Sequence, residues 1–137
     1  MTSKILCPTD GSDHATTGVL LAAEFAKASG AHLTICAVNI AHGGVRGPTI
    51  SHWRPEEVQK LLADAEALAK AEGATDVGTL EVVAREAAPA IIAYAEQNGY
   101  DHIVMGTGDK RGLQRLVLGS VASEVATRAH CTVTIAR

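Results

Sequence analysis

The chain has 137 residues, 47% of them apolar, and a formal net charge of −3. That length suits a single domain, residues 1–137, whose core needs neither disulfides nor metal. The charge offers no basic face for nucleic acid or anionic membrane, and no apolar run approaches the roughly 20 residues of a spanning helix.

Only four residues are aromatic, so the core is expected to be aliphatic. "MTSKILCPTD" enters a strand directly and carries no apolar signal-peptide region. Cys7, Cys36 and Cys131 each lie in or beside an apolar run, and their odd number gives no disulfide framework. They read as reduced, largely buried thiols of a cytoplasmic protein.

"KILCP" is the first strand, and "DGSDHA" is a turn in which Ser12 or Asp13 caps a helix that stops at Gly30. "HLTICAVNI" is a β-branched second strand, and residues 41–54 are expected to form a long polar loop. Pro55 opens the second helix, with Glu56 and Glu57 at the positive end of its dipole. Val58, Leu61, Leu62, Ala65, Leu68 and Ala69 form its apolar stripe, which ends near Gly73. "TLEVVA" is the third strand, and a third helix opens at Pro89 and ends at Asn98–Gly99. "HIVMG" is the fourth strand, residues 121–129 the fourth helix and "CTVTIA" the fifth strand. Strands alternating with helices predict an α/β fold: an open, parallel, five-stranded sheet with helices on both faces.

Ligands of such sheets lie beyond the carboxyl ends of the strands, where strand order reverses. Two segments combine a strand end with small polar residues: "PTDGSD" after the first strand and "GTGDKRG" after the fourth. Pattern alone does not make those strands neighbours. GxxxxGK[ST] is absent, which excludes a P-loop. Gly106, Gly108 and Gly112 give GxGxxxG, one residue off the dinucleotide pattern and after the wrong strand.

The opening "ILCPTDGSDHA", the strand end "AVNI" and the block "VMGTGDKRGLQRLVLGSVASEV" resemble the universal stress protein family over essentially the whole chain. The resemblance implies strand order 3-2-1-4-5 in a Rossmann-like, adenine nucleotide alpha hydrolase-like sheet. It implies a homodimer paired through the final strand, "TVTIA", and a stress-response role in which some members bind ATP or AMP. Mg²⁺ enters only with the nucleotide. Carried over by position, Pro8, Thr9 and Asp10 hold the ribose or phosphate side, and Val38 meets the adenine edge. Met105 borders the same site, and Gly106, Gly108, Gly119, Ser120 and Val121 enclose the phosphates. A helix N-terminus at Ser120 supplies free amide donors and a positive dipole for an anion.

In nucleotide-binding members the block reads G-x2-G-x9-G-[ST]. Gly106, Gly119 and Ser120 fall in register, but Asp109 stands at the middle glycine. A carboxylate about 4 Å from a phosphate oxygen opposes binding by roughly 4 kcal/mol at an effective dielectric near 20, and about 1.4 kcal/mol weakens binding tenfold. Lys110, Arg111 and Arg115 offset part of this, as does a Mg²⁺ ion that takes Asp109 as ligand. Two readings therefore stand: a nucleotide-binding regulatory protein with a weakened crevice, and a dimeric scaffold of the same fold that binds no nucleotide.

Simpler roles exist for the same residues. Asp10-Gly11 is a turn beside a Ser12 cap, Ser120 is a helix cap, Val38 is core, and the basic residues are a solvated face. His42 and His52 share a loop without further ligands, so no metal site is expected. Trp53 and His52 pack that loop over the crevice or against a partner. No histidine is spaced to activate Ser12 or Ser120, and no catalytic machinery is expected, although slow ATP hydrolysis stays open.

Overall fold

The computed structural model describes residues 2–108 and 118–137. In chain order it contains β1 (Lys4–Pro8), α1 (Asp13–Ser29), β2 (His32–Gly43), β3 (Thr49–Ser51), α2 (Pro55–Ala71) and β4 (Val77–Ala84). There follow α3 (Ala87–Gln97), β5 (His102–Gly106), α4 (Ser120–Arg128) and β6 (Thr132–Ala136).

The parallel sheet runs β4-β2-β1-β5-β6. Counting its five strands in sequence, this is the expected order 3-2-1-4-5. β1 and β5 pair directly, with Ile5 opposite His102 and Leu6 opposite Ile103, so the order reverses between them. Strand residues alternate between two cores, as the twofold period of a strand requires. Ile5, Cys7, Leu33, Ile35 and Val104 face α1 and α2, where Val19, Ala22, Val58 and Leu62 meet them. Leu6, Cys36, Ile103 and Met105 face α3 and α4, where Ile91, Ala95, Ala122 and Val125 complete the second core. Burial raises both inner thiols, Cys36 to about 12 and Cys7 further, with Cys36 beside Cys7 adding to the effect. Among the described residues no helix is long and apolar enough to cross a membrane.

The sheet has six strands rather than five, because the expected loop 41–54 is partly a hairpin. β2 continues through Gly43, and β3 returns antiparallel with Ser51, Ile50 and Thr49 opposite Ala41, His42 and Gly43. Gly43 and Gly44, at φ 83° and 91°, make the reversal that other residues resist. One helix start has the expected cap, and two differ in position or cap chemistry. Ser12 caps α1, its Oγ accepting the Ala15 N–H at 3.3 Å. α3 begins at Ala87, two residues before Pro89; the proline still lies in the first turn, where its missing N–H costs no intrahelical bond. α4 begins at Ser120, so Gly119 is its cap and Ser120 its first helical residue, not a capping side chain.

Candidate functional site

Ten of the eleven residues singled out from sequence line one cleft: Pro8, Thr9, Asp10, Val38, Met105, Gly106, Gly108, Gly119, Ser120 and Val121. The eleventh, Asp109, lies outside the described residues, together with Lys110, Arg111 and Arg115. The cleft has a volume of about 430 Å³ and sits beyond the carboxyl ends of β1 and β5. That is within the usual range for a small-molecule site.

Pro8 and Thr9 carry the chain out of β1, and the Thr9 N–H donates to the Cys36 carbonyl at 2.8 Å, extending the pairing with β2. Thr9 Oγ1 accepts the Gly11 N–H at 3.2 Å, and Gly11 turns the chain at φ 83°. Asp10 Oδ1 accepts both the Ser12 N–H at 3.0 Å and the Ser12 hydroxyl at 2.5 Å. One carboxylate oxygen is thus fixed by the turn, while Oδ2 takes no hydrogen bond among the described residues.

His14 was not singled out from sequence, yet it lines the cleft and lies beside Ser12. Although no histidine was expected to be spaced to activate Ser12, Ser12 Oγ is 3.2 Å from His14 Nδ1 and 3.0 Å from Nε2. The first turn of α1 folds residue 14 back over residue 12. A hydroxyl almost equidistant from both ring nitrogens is in line with neither in-plane lone pair. Its proton points to Asp10 at 2.5 Å, so the contact is packing within the turn rather than a nucleophile–base pair.

The glycines at the other wall are set by close backbone approaches. A Cβ on Gly106 would lie 2.1 Å from the His14 carbonyl oxygen. A Cβ on Gly18, a residue the sequence reading passed over, would lie 2.8 Å from the Gly106 nitrogen. α1 therefore rests directly on the end of β5. Gly108 turns at φ 92°, and its Cβ would meet the Gly119 Cα at 2.7 Å. The Gly119 N–H donates to the Thr107 carbonyl at 2.7 Å, closing the two ends of the glycine block onto each other.

α4 then presents its N-terminus to the cleft. The Ser123 N–H reaches the Gly119 carbonyl at 2.9 Å, leaving the amides of Ser120, Val121 and Ala122 without acceptors inside the helix. The cleft also has an apolar lining, which includes Val38, Ala87, Ile91 and Met105. An apolar lining combined with free amide donors suits a flat, uncharged group joined to an anion. No Lys or Arg lines the cleft among the described residues, and these contain no group of three potential metal ligands.

A second cavity adjoins the first between α1 and α2 and shares Thr9, Asp10 and Trp53 with it. At the start of α2, Glu57 accepts the Arg54 backbone N–H at 2.9 Å, which holds its carboxyl below the ordinary value. Trp53 sits between the two spaces, half-buried against the core of α1 and α2. Its ring stacks at a tilt with that of His52, 5.1 Å between centroids.

The profile of the Universal stress protein family matches residues 1–137. Universal stress protein MJ0531 of Methanocaldococcus jannaschii is 35% identical over 140 residues, spanning 98% of this chain and 81% of the relative. A universal stress protein crystallised in complex with cAMP is 29% identical, with a TM-score of 0.77, and 99% and 97% of the two chains superpose. The fold is likewise similar to that of UspA from Lactobacillus plantarum, with a TM-score of 0.80 at 22% identity over 99% and 98% of the chains.

Proposed function

Because the chain belongs to the universal stress protein family, we propose that its cleft binds an adenine nucleotide, ATP or AMP, and that the protein acts as a regulator in the cytoplasm. The observation that carries this reading is the convergence of three elements on one cleft. The turn after β1 offers the free oxygen of Asp10, the end of β5 offers Gly106 and Gly108, and α4 offers three unpaired amides. The adenine ring takes the apolar lining beside Val38 and Met105, the ribose hydroxyls meet Asp10, and the phosphate takes the amides of Ser120 and Val121. Mg²⁺ enters only together with the nucleotide. A relative of 29% identity was solved with cAMP, which supports the same ligand class here.

The nucleotide is read as a regulatory ligand rather than a substrate. Asp10 and Ser12 are engaged with each other, and His14 is not aligned to take a proton from the hydroxyl. The regulated assembly is a homodimer formed through β6, which among the described residues pairs with β5 and with no strand on its other side.

Titration calorimetry with AMP and with ATP plus Mg²⁺ tests the reading, on the wild type and on Asp109→Gly. Binding tighter than about 1 mM by the wild type, strengthened tenfold or more by the glycine, is the expected result. If neither protein binds, the cleft is not a nucleotide site and the non-binding scaffold is the correct reading.

A further inference from the structure

Trp53 is the one Phe, Tyr or Trp in the described wall of the cleft, and the way it is held is unusual. Its N–H donates to Asn39 Oδ1 at 2.9 Å, and Asn39 Nδ2 donates back to the Trp53 carbonyl at 3.0 Å. The same Nδ2 donates to Glu81 Oε2 on β4 at 2.9 Å. Immediately before, the His52 N–H donates to the Ile40 carbonyl at 2.8 Å; two residues after, Pro55 begins α2. The backbone of Trp53 is thus clamped on both sides.

Asn39 is only 3% exposed and points to the face of β2 that otherwise carries Leu33, Ile35 and Ala37. An amide buried among aliphatic neighbours is costly unless every polar atom is satisfied. Here both are satisfied, and the bonds to the main chain all go to Trp53. A Val or Ile at position 39 would serve the sheet as well; it would not hold Trp53. Trp53 packs on the α1–α2 side of the sheet and Val38 on the α3–α4 side, and both line the cleft, so Trp53 borders it from the α1–α2 side.

We infer that Trp53 is a specificity-determining residue whose indole contacts the base of the bound nucleotide, and that Asn39 is the positioning residue that fixes it there. The inference rests on the adenine-nucleotide reading of the cleft. A rigidly placed aromatic ring recognises any ligand with a π-face and adds nothing for a sugar phosphate without a base. Trp53 therefore sets the preference for nucleotide over bare ribose phosphate.

The test uses AMP and ribose 5-phosphate against the wild type, Trp53→Ala, Trp53→Phe and Asn39→Ala. Trp53→Ala is expected to weaken AMP by about tenfold to a hundredfold and to leave ribose 5-phosphate within twofold. Trp53→Phe recovers most of the loss, and Asn39→Ala weakens AMP in the same direction as Trp53→Ala. The chain has a single tryptophan, so its emission reports directly: AMP shifts or quenches it and ribose 5-phosphate does not. A wild type that binds AMP with unchanged emission, or a Trp53→Ala protein that binds AMP as well as the wild type, overturns the inference and leaves the cleft's function standing. Equal loss of both ligands in Trp53→Ala assigns the ring a structural role only and also overturns it. A wild type that binds no AMP overturns both.

Discussion

Replacing Gly106 by alanine probes the contact on which the cleft is built. The added Cβ would stand 2.1 Å from the His14 carbonyl oxygen, 2.6 Å from its carbon and 3.1 Å from the Ala15 nitrogen. Side-chain carbons are rarely closer than 3.4 Å to a neighbour, so α1 must lift from β5 by more than 1 Å. The obstructing atoms are backbone and cannot change rotamer. The first turn is also tied to the loop through the Ser12 cap, so it cannot lift without disturbing Asp10. Overpacking of this kind costs about 3 kcal/mol, which for a domain of this size lowers the melting temperature by roughly 10 °C. Gly47→Ala is the control, because its Cβ would meet nothing within 4 Å and its φ is not positive; it is expected to melt within about 2 °C of the wild type. Calorimetric or circular-dichroism melting of the three proteins decides the matter. A Gly106→Ala protein that melts with the control would refute the claim that α1 rests on the end of β5.

Two further outcomes follow from burial. His102 lies between Phe25 and Thr134, its Nε2 paired with Thr134 Oγ1 at 2.7 Å and its Nδ1 without a partner among the described residues. Burial lowers its pKa, and the neighbouring Asp101 opposes this only in part. The unfolded chain thus binds more protons than the folded one, so the His102 contribution is complete above the ordinary value near 6.5 and is lost as pH falls below it. Denaturation midpoints measured from pH 7.5 to 5 are expected to fall, and His102→Phe is expected to flatten that part of the profile. The thiols give the second outcome: Cys7 and Cys36 are buried with raised pKa values, and Cys131 is half-buried. A thiol reagent at neutral pH should titrate Cys131 alone in the folded protein and all three cysteines after denaturation; rapid reaction of two or more in the native state would contradict the packing of β1 on β2.

The sheet was legible because its strands are short, apolar and separated by amphipathic helices with clear end signals such as Ser12, Gly30 and Pro55. The ten cleft residues were legible for a different reason: they fall at strand ends and on a motif that resembles a family. Adjacency of β1 and β5 came with that resemblance, since local pattern says nothing about which strands pair. What went unread depends on long-range contact. β3 is three residues long, too short to show alternation, and exists because Gly43 and Gly44 let the chain turn back onto β2. Gly18 lies inside a helix, where glycine costs about 1 kcal/mol against alanine; that local penalty was a visible sign of close approach. Asn39 gave a similar sign, as the one amide in an apolar strand run, but its partner Trp53 is fourteen residues away. His14 reached the cleft through the first turn of α1, whose path depends on Gly106.

Amide shifts followed during an AMP titration of the isotopically labelled protein test the central claim most directly. The account predicts saturable shifts centred on Gly106, Gly108, Gly119, Ser120 and Val121, with Val38 and the Trp53 indole N–H also moving. Absence of saturable shifts, or shifts confined to the cavity between α1 and α2 around Leu61 and Leu68, would contradict it.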